Sequence, residues 1–155
     1  MKIEAPGLPE AKSGFDIIPA NTRLNVRVVG CEVETKQSMD KVKKELTRTM
    51  LAWEFDVFAP AEYVGRKLWT RTVTTLASVA ELNSLSATER TDVLNRQTQA
   101  HGFLKGLCDA AHIPYDATGL ETTDALGAEL TVKVGVREYD GKDSNEIKGY
   151  YELSD

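Results

Sequence analysis

The hydrophobic period of the chain changes twice, and this limits the possible folds more than any single residue does. From Asn21 to Thr75 apolar residues recur at period two, from Ser86 to about His112 at period 3.6, and from Leu130 onward at period two again. Arg23-Leu24-Asn25-Val26-Arg27-Val28 alternates polar and apolar, as a half-buried strand does, and the pattern runs past Gly30 to about Lys36. A glycine inside a strand predicts a bulge or sharp bend. Met50 to Phe58 predicts a second strand, with Leu51, Trp53, Phe55 and Val57 on one face and Ala52, Glu54 and Asp56 on the other. Arg66 to Thr75, rich in β-branched residues, predicts a third.

Ser86-Ala87-Thr88-Glu89 forms a capping box that starts a helix, and Pro114 prevents its continuation past about His112. Its expected apolar stripe is Ala100, Phe103, Leu104, Leu107 and Ala111. A long loop follows, with a helical turn ending at Gly127. Leu130, Val132, Val134 and Val136 form the inward face of a fourth strand, Asp140-Gly141 a turn, and Glu146 to Leu153 a last strand. Three strands, one long helix between strands three and four, and two strands is the plan of the OB-fold, a mainly β, five-stranded, partly open Greek-key barrel. A β-sandwich needs more strands and a doubly wound sheet more helices.

At 155 residues the expectation is one OB-fold domain over residues 15–155, preceded by a flexible N-terminal arm, residues 1–14, in which Pro6, Gly7 and Pro9 cluster. Hydrophobic residues at 41% and charged residues at 28% exclude disordered, collagen-like and coiled-coil compositions. No apolar run approaches the roughly 18 residues of a membrane span. Cys31 and Cys108 lie far apart, and the opening lacks the basic-then-apolar start of a secretory signal. Two free thiols in a cytoplasmic setting are expected. Net charge is -5, yet its distribution is uneven: ten Lys/Arg against seven Asp/Glu from Asn21 to Thr75, three against eight from Leu76 to Leu130. Fields decay over roughly 8 Å at physiological salt, so a chain acidic overall can still hold an anion on one side.

The basic half concentrates the candidates. Lys36, Lys41, Lys43, Lys44 and Arg48 fall in what reads as a long connection between strands one and two, a loop that in OB-folds closes over an oligonucleotide. Lys67, Trp69 and Arg71 alternate along strand three and so share one side, offering a π-face for any base between two cations for phosphates. The opposite assignment, with Trp69 and Val73 in the core and Arg66, Thr70 and Thr72 outside, would bury a large aromatic as cores usually do. A second platform is expected on the last hairpin, where Arg137, Tyr139, Lys142, Lys148 and Tyr150 fall on or near the outward face. The bland alternative is cross-strand packing that merely covers the sheet.

A resemblance is carried by Phe15-Asp16-Ile17-Ile18-Pro19-Ala20-Asn21-Thr22, by Gly65-Arg66-Lys67-Leu68-Trp69, and by Val132 to Lys142 followed by Ile147-Lys148-Gly149-Tyr150. In these segments, spanning Phe15 to Tyr151, the chain resembles a family of small bacteriophage proteins similar to single-stranded-DNA-binding proteins of OB fold. The resemblance implies a non-enzymatic protein without cofactors that binds single-stranded DNA in phage replication or recombination, in the host cytoplasm. It allows phage or host replication and recombination proteins as partners, and a homodimer. The end, Glu152-Leu153-Ser154-Asp155, is shorter than the acidic tail by which many such proteins recruit partners.

Other patterns weigh less. Asp16 with Glu34-Thr35-Lys36 imitates the acid, acid-x-Lys set of metal-dependent nucleases, a triplet common by chance. Cys108 and His112, with His101 two turns back, fit core packing better than a metal site, because no fourth ligand has matching spacing. No glycine-rich phosphate loop or nucleophile elbow is present. The rival function is an OB-fold interaction module that binds a replication partner through the acidic helix region around Glu81, Glu89 and Asp92.

Overall fold

Five antiparallel strands form a single sheet of order β3-β2-β1-β4-β5: β1 Arg23–Met39, β2 Glu45–Ala59, β3 Lys67–Thr75, β4 Glu129–Tyr139 and β5 Lys142–Tyr151. The computed structural model describes residues 2–4 and 17–154, so most of the expected N-terminal arm, with Phe15 and Asp16, lies outside the described residues. Between β3 and β4 the chain forms α1 (Val79–Ser84), α2 (Ala87–Ala111) and the short α3 (Thr122–Ala125). Among the described residues no helix is long and apolar enough to cross a membrane.

The sheet curls without closing. Its edge strands β3 and β5 share no ladder but approach each other, and there the half-buried Tyr150 side chain meets that of Thr70. Register shifts interrupt the ladders at four places, and two of them reset which residues face inward. In β1 the register against β2 shifts between Val28 and Gly30, leaving Val29 as the extra residue. Leu24, Val26 and Val28 point inward before it, Cys31 after it, because one inserted residue inverts the alternation. In β5 the shift falls at Lys148, between the pairs Lys133↔Gly149 and Val134↔Ile147.

The interior is filled by the inward-facing residues of the curled sheet and by α2, which packs against them. Trp53, Phe55 and Val57 from β2, Leu130, Val132 and Val134 from β4, and Leu107, Cys108 and Ala111 from α2 are buried in one cluster with Ile18. Ile18 is held in place by Asn145, which accepts from its N–H at 2.9 Å and donates to its carbonyl at 2.8 Å. The Trp53 indole N–H donates to Thr72 Oγ1 at 2.8 Å inside this core, satisfying its one polar atom. Phe103, expected in the helix stripe, is instead 71% exposed; the residues of α2 fully buried in this core begin only at Leu107, one turn further along. Val136, expected inward, is 37% exposed, because the β4–β5 hairpin runs on past the end of the core.

Both α1 and α2 begin with complete capping boxes, Ser78 with Glu81 and Ser86 with Glu89. α2 ends at His112, which adopts the left-handed conformation one residue before Ile113 returns to the core. A second, smaller cluster of Leu46, Leu76, Ala77, Leu85 and Val93 lies between the far end of the β1–β2 hairpin and the start of α2.

Candidate nucleic-acid interface

The expected long loop between strands one and two is mostly strand. β1 and β2 remain paired out to Met39↔Glu45, so Lys36 and Arg48 stand opposite each other in the ladder, and only Asp40 to Lys44 form the connection. Nor is this tip a free flap. Asp40 is gripped by Arg96, Lys44 Nζ lies 3.0 Å from Glu89 Oε1, and Glu81 accepts from the Thr47 N–H at 2.8 Å and from its hydroxyl at 3.0 Å. Leu46 packs with Val93 and Leu85 beneath it. Lys41 and Lys43 are exposed on the turn, with Lys43 in the left-handed conformation at φ 63°.

Lys67, Trp69 and Arg71 share the outer face of β3, while Leu68, Thr70 and Thr72 turn inward. Trp69 is 62% exposed, so the arrangement that buried it and put Thr70 and Thr72 outside is not the one adopted. Each of the three is already engaged by a carboxylate. Lys67 Nζ is 2.7 Å from Asp56 and 3.9 Å from Glu54, the Trp69 indole N–H donates to Glu54 at 3.0 Å, and Arg71 Nε donates to Glu34 at 2.8 Å. The Asp56 contact raises the Lys67 pKa above its ordinary value, and the Glu34 contact does the same for Arg71.

These acids were missing from the site as read in sequence, though a signal existed. Glu54 and Asp56 are the outward residues of β2, and Lys67 and Trp69 recur at the same period on the neighbouring strand. The register Asp56↔Lys67 and Glu54↔Trp69 brings them side by side. Glu34, weighed as a nuclease acid, spends its carboxylate on Arg71; Asp16 lies outside the described residues.

Beyond Arg71 the same face opens into a groove of about 660 Å³, lined by Lys36, Arg48, Arg71, Glu34, Met50 and neighbouring hydroxyls. Lys36 and Arg48 make no ion pair among the described residues. The structure thus brings Lys36, Arg48, Lys67, Trp69 and Arg71 onto one continuous face of β1, β2 and β3.

The last hairpin divides its candidates. Arg137, Tyr139 and Lys142 are exposed, Tyr139 facing Lys142 across a two-residue turn whose Asp140 and Gly141 both have positive φ. Lys148 lies over Gly135, with its Nζ 2.8 Å from Glu146. Tyr150 is not on this outward face. The bulge at Lys148 inverts the alternation of β5 and turns Tyr150 inward opposite Val132, half-buried against the core.

Of the remaining groups, Cys108 packs in the core as expected, but His112 does not: as the left-handed residue that ends α2 it points outward, with its Nε2 3.6 Å from Glu152 Oε1. His101 Nε2 sits 2.6 Å from the Thr74 carbonyl; among the described residues no group of three or more His, Cys, Asp or Glu could hold a metal ion. Glu81 and Glu89, the acids of the rival interaction surface, are committed to capping and to the hairpin, and Asp92 pairs with Arg96. A larger cleft of about 710 Å³ between α2, the loop after it and the sheet is lined by His101 and Cys108 but by none of the candidate nucleic-acid-binding residues. The chain matches no protein-family model and no curated protein.

Proposed function

We propose that the chain is a non-enzymatic, OB-fold, single-stranded-DNA-binding protein whose contact surface is the outer face of β1, β2 and β3. One observation carries this reading: an exposed tryptophan and a cation-lined groove lie on the same sheet face. Stacking on Trp69 is tolerant of sequence, and Lys36 and Arg48 are open to phosphate, the combination a sequence-independent single-strand binder needs. The OB reading is supported by the strand order, by the long helix between β3 and β4, and by the bulge at Gly30. A role in phage replication or recombination, in the host cytoplasm, rests on the resemblance alone.

The rival, a module binding a replication partner through the α1–α2 acids, has less support because those carboxylates already serve as caps and ties. Titration of a fluorescent oligo(dT) and of a duplex of equal length, at several salt concentrations, tests the proposal. The single strand should bind more tightly, with log affinity falling against log salt by about 0.7 for each phosphate contacted. Equal binding to duplex, or affinity indifferent to salt, would remove the proposal.

A further inference from the structure

We infer that Glu34 gates this face: it occupies Arg71 as a phosphate would, and an incoming strand must take Arg71 from it. The inference rests on the single-strand reading above and adds to it the residue that sets affinity.

The groove holds two kinds of cation. Lys36 and Arg48, paired in register, are without an ion pair among the described residues. Arg71 lines the same groove, but its Nε is held at 2.8 Å by Glu34, whose carboxylate also lines it. Arg71 therefore adds no net positive charge while the pair persists. Only Nε is engaged, and a guanidinium has five donors in a fixed fork, so a phosphate can meet the terminal nitrogens before the carboxylate leaves. Both side chains are well exposed, 61% for Arg71 and 42% for Glu34, which makes the pair weak and exchangeable. Once displaced, Glu34 remains as a negative charge beside the phosphodiester and opposes it. A polyanion thus gains one phosphate contact only by creating one repulsion.

Glu32 provides an internal control. It lies two residues earlier on the same outward side of β1, is exposed, and makes no ion pair among the described residues. Glu32→Gln and Glu34→Gln change net charge equally, but only the second frees Arg71.

The experiment is an oligo(dT) titration across salt for the wild-type chain, Glu34→Gln, Glu32→Gln, and Glu34→Gln combined with Arg71→Gln, with thermal melts confirming that all are folded. Glu34→Gln should bind about three- to tenfold more tightly at low salt, with a slope steeper by about 0.7, one additional phosphate. Glu32→Gln should leave the slope alone, and the double variant should return it to the wild-type value. Equal gains in Glu32→Gln and Glu34→Gln, or an unchanged slope in Glu34→Gln, would overturn the gate while leaving single-strand binding intact. Binding by Glu34→Gln where the wild type does not bind supports the gate. Failure of every variant to bind at low salt would overturn both the gate and the single-strand reading.

Discussion

Both terminal nitrogens of Arg96, midway along α2, donate to the carboxylate of Asp40 at the tip of the β1–β2 hairpin. The Asp40 side chain is 3% exposed and that of Arg96 19%, so this pair is far less screened than the ion pairs on the outer face. Asp40→Asn leaves a partly buried guanidinium short of its counter-charge and should cost about 1 to 3 kcal/mol in urea unfolding. Its pH dependence has a definite sign. The Arg96 hydrogen bonds first, and then the Val42 N–H, hold the Asp40 carboxyl below the ordinary aspartate value of 3.8. The stabilisation is therefore complete above about pH 5, where the unfolded aspartate is also ionised, and is lost as pH falls through the lower folded value. Urea titrations in acid should show the gap between wild type and Asp40→Asn closing.

Trp69→Ala separates the surface from the core. With the indole 62% exposed, truncation should lower stability by less than about 1 kcal/mol, against about 3 to 5 for a buried tryptophan. On the proposed function it should weaken oligo(dT) binding by about 1 to 3 kcal/mol at every salt concentration, with the slope unaltered. Normal binding by a folded Trp69→Ala protein would take stacking at Trp69 out of the proposal.

Changing Lys36 and Arg48 together to Gln should act in the opposite way. The salt slope should flatten by about 1.4, two phosphates' worth, and most of the loss should appear at low salt. A slope equal to that of the wild type would mean that the groove is not where phosphate is held.

Thr72→Val tests the polar contact inside the core. It keeps the shape of the side chain but leaves the buried Trp53 indole N–H without its acceptor, which should cost about 1 to 3 kcal/mol. The effect belongs to thermal or urea stability alone, and oligonucleotide affinity per folded molecule should not move.

Burial raises the pKa of Cys31 and of Cys108 to about 11. At pH 8 only on the order of one thiol in a thousand is ionised, and neither is exposed to reagent. An aromatic disulfide reagent should label both cysteines only as fast as the protein unfolds. Rapid labelling of the native protein would contradict the packing of α2 on the sheet.

The strands and the helix were legible because their periods are strong. Trp53, Phe55 and Val57 lie inward and Glu54 and Asp56 outward as the alternation of β2 requires, and the Ser86–Glu89 box marks the start of α2. What escaped was set by register and by long-range packing. The hairpin beyond Lys36 looks like a polar loop because its outward residues are charged, yet β1 and β2 stay paired across it and Leu46 anchors its far end on Val93. Tyr150 falls on the outward face only if alternation runs straight through Lys148, and the bulge there depends on β4 as much as on β5. The pairing of Arg71 with Glu34 joins strands that are not neighbours in the sheet, so no pattern along the chain announces it.

β1 occupies the middle of the sheet, and its second neighbour is made very late: Arg27 and its ladder partner Glu129 are 102 positions apart. During synthesis β1, β2 and β3 can form a meander as soon as they emerge. The other side of β1 then shows bare N–H and C=O groups until β4 arrives, roughly 3 to 11 s later at about 5–20 residues per second. A strand edge left open for that time is a template for pairing with another chain. The nascent protein is thus most prone to association while α2 is being translated, and a slow codon stretch there would lengthen the exposure without altering a single contact of the finished molecule.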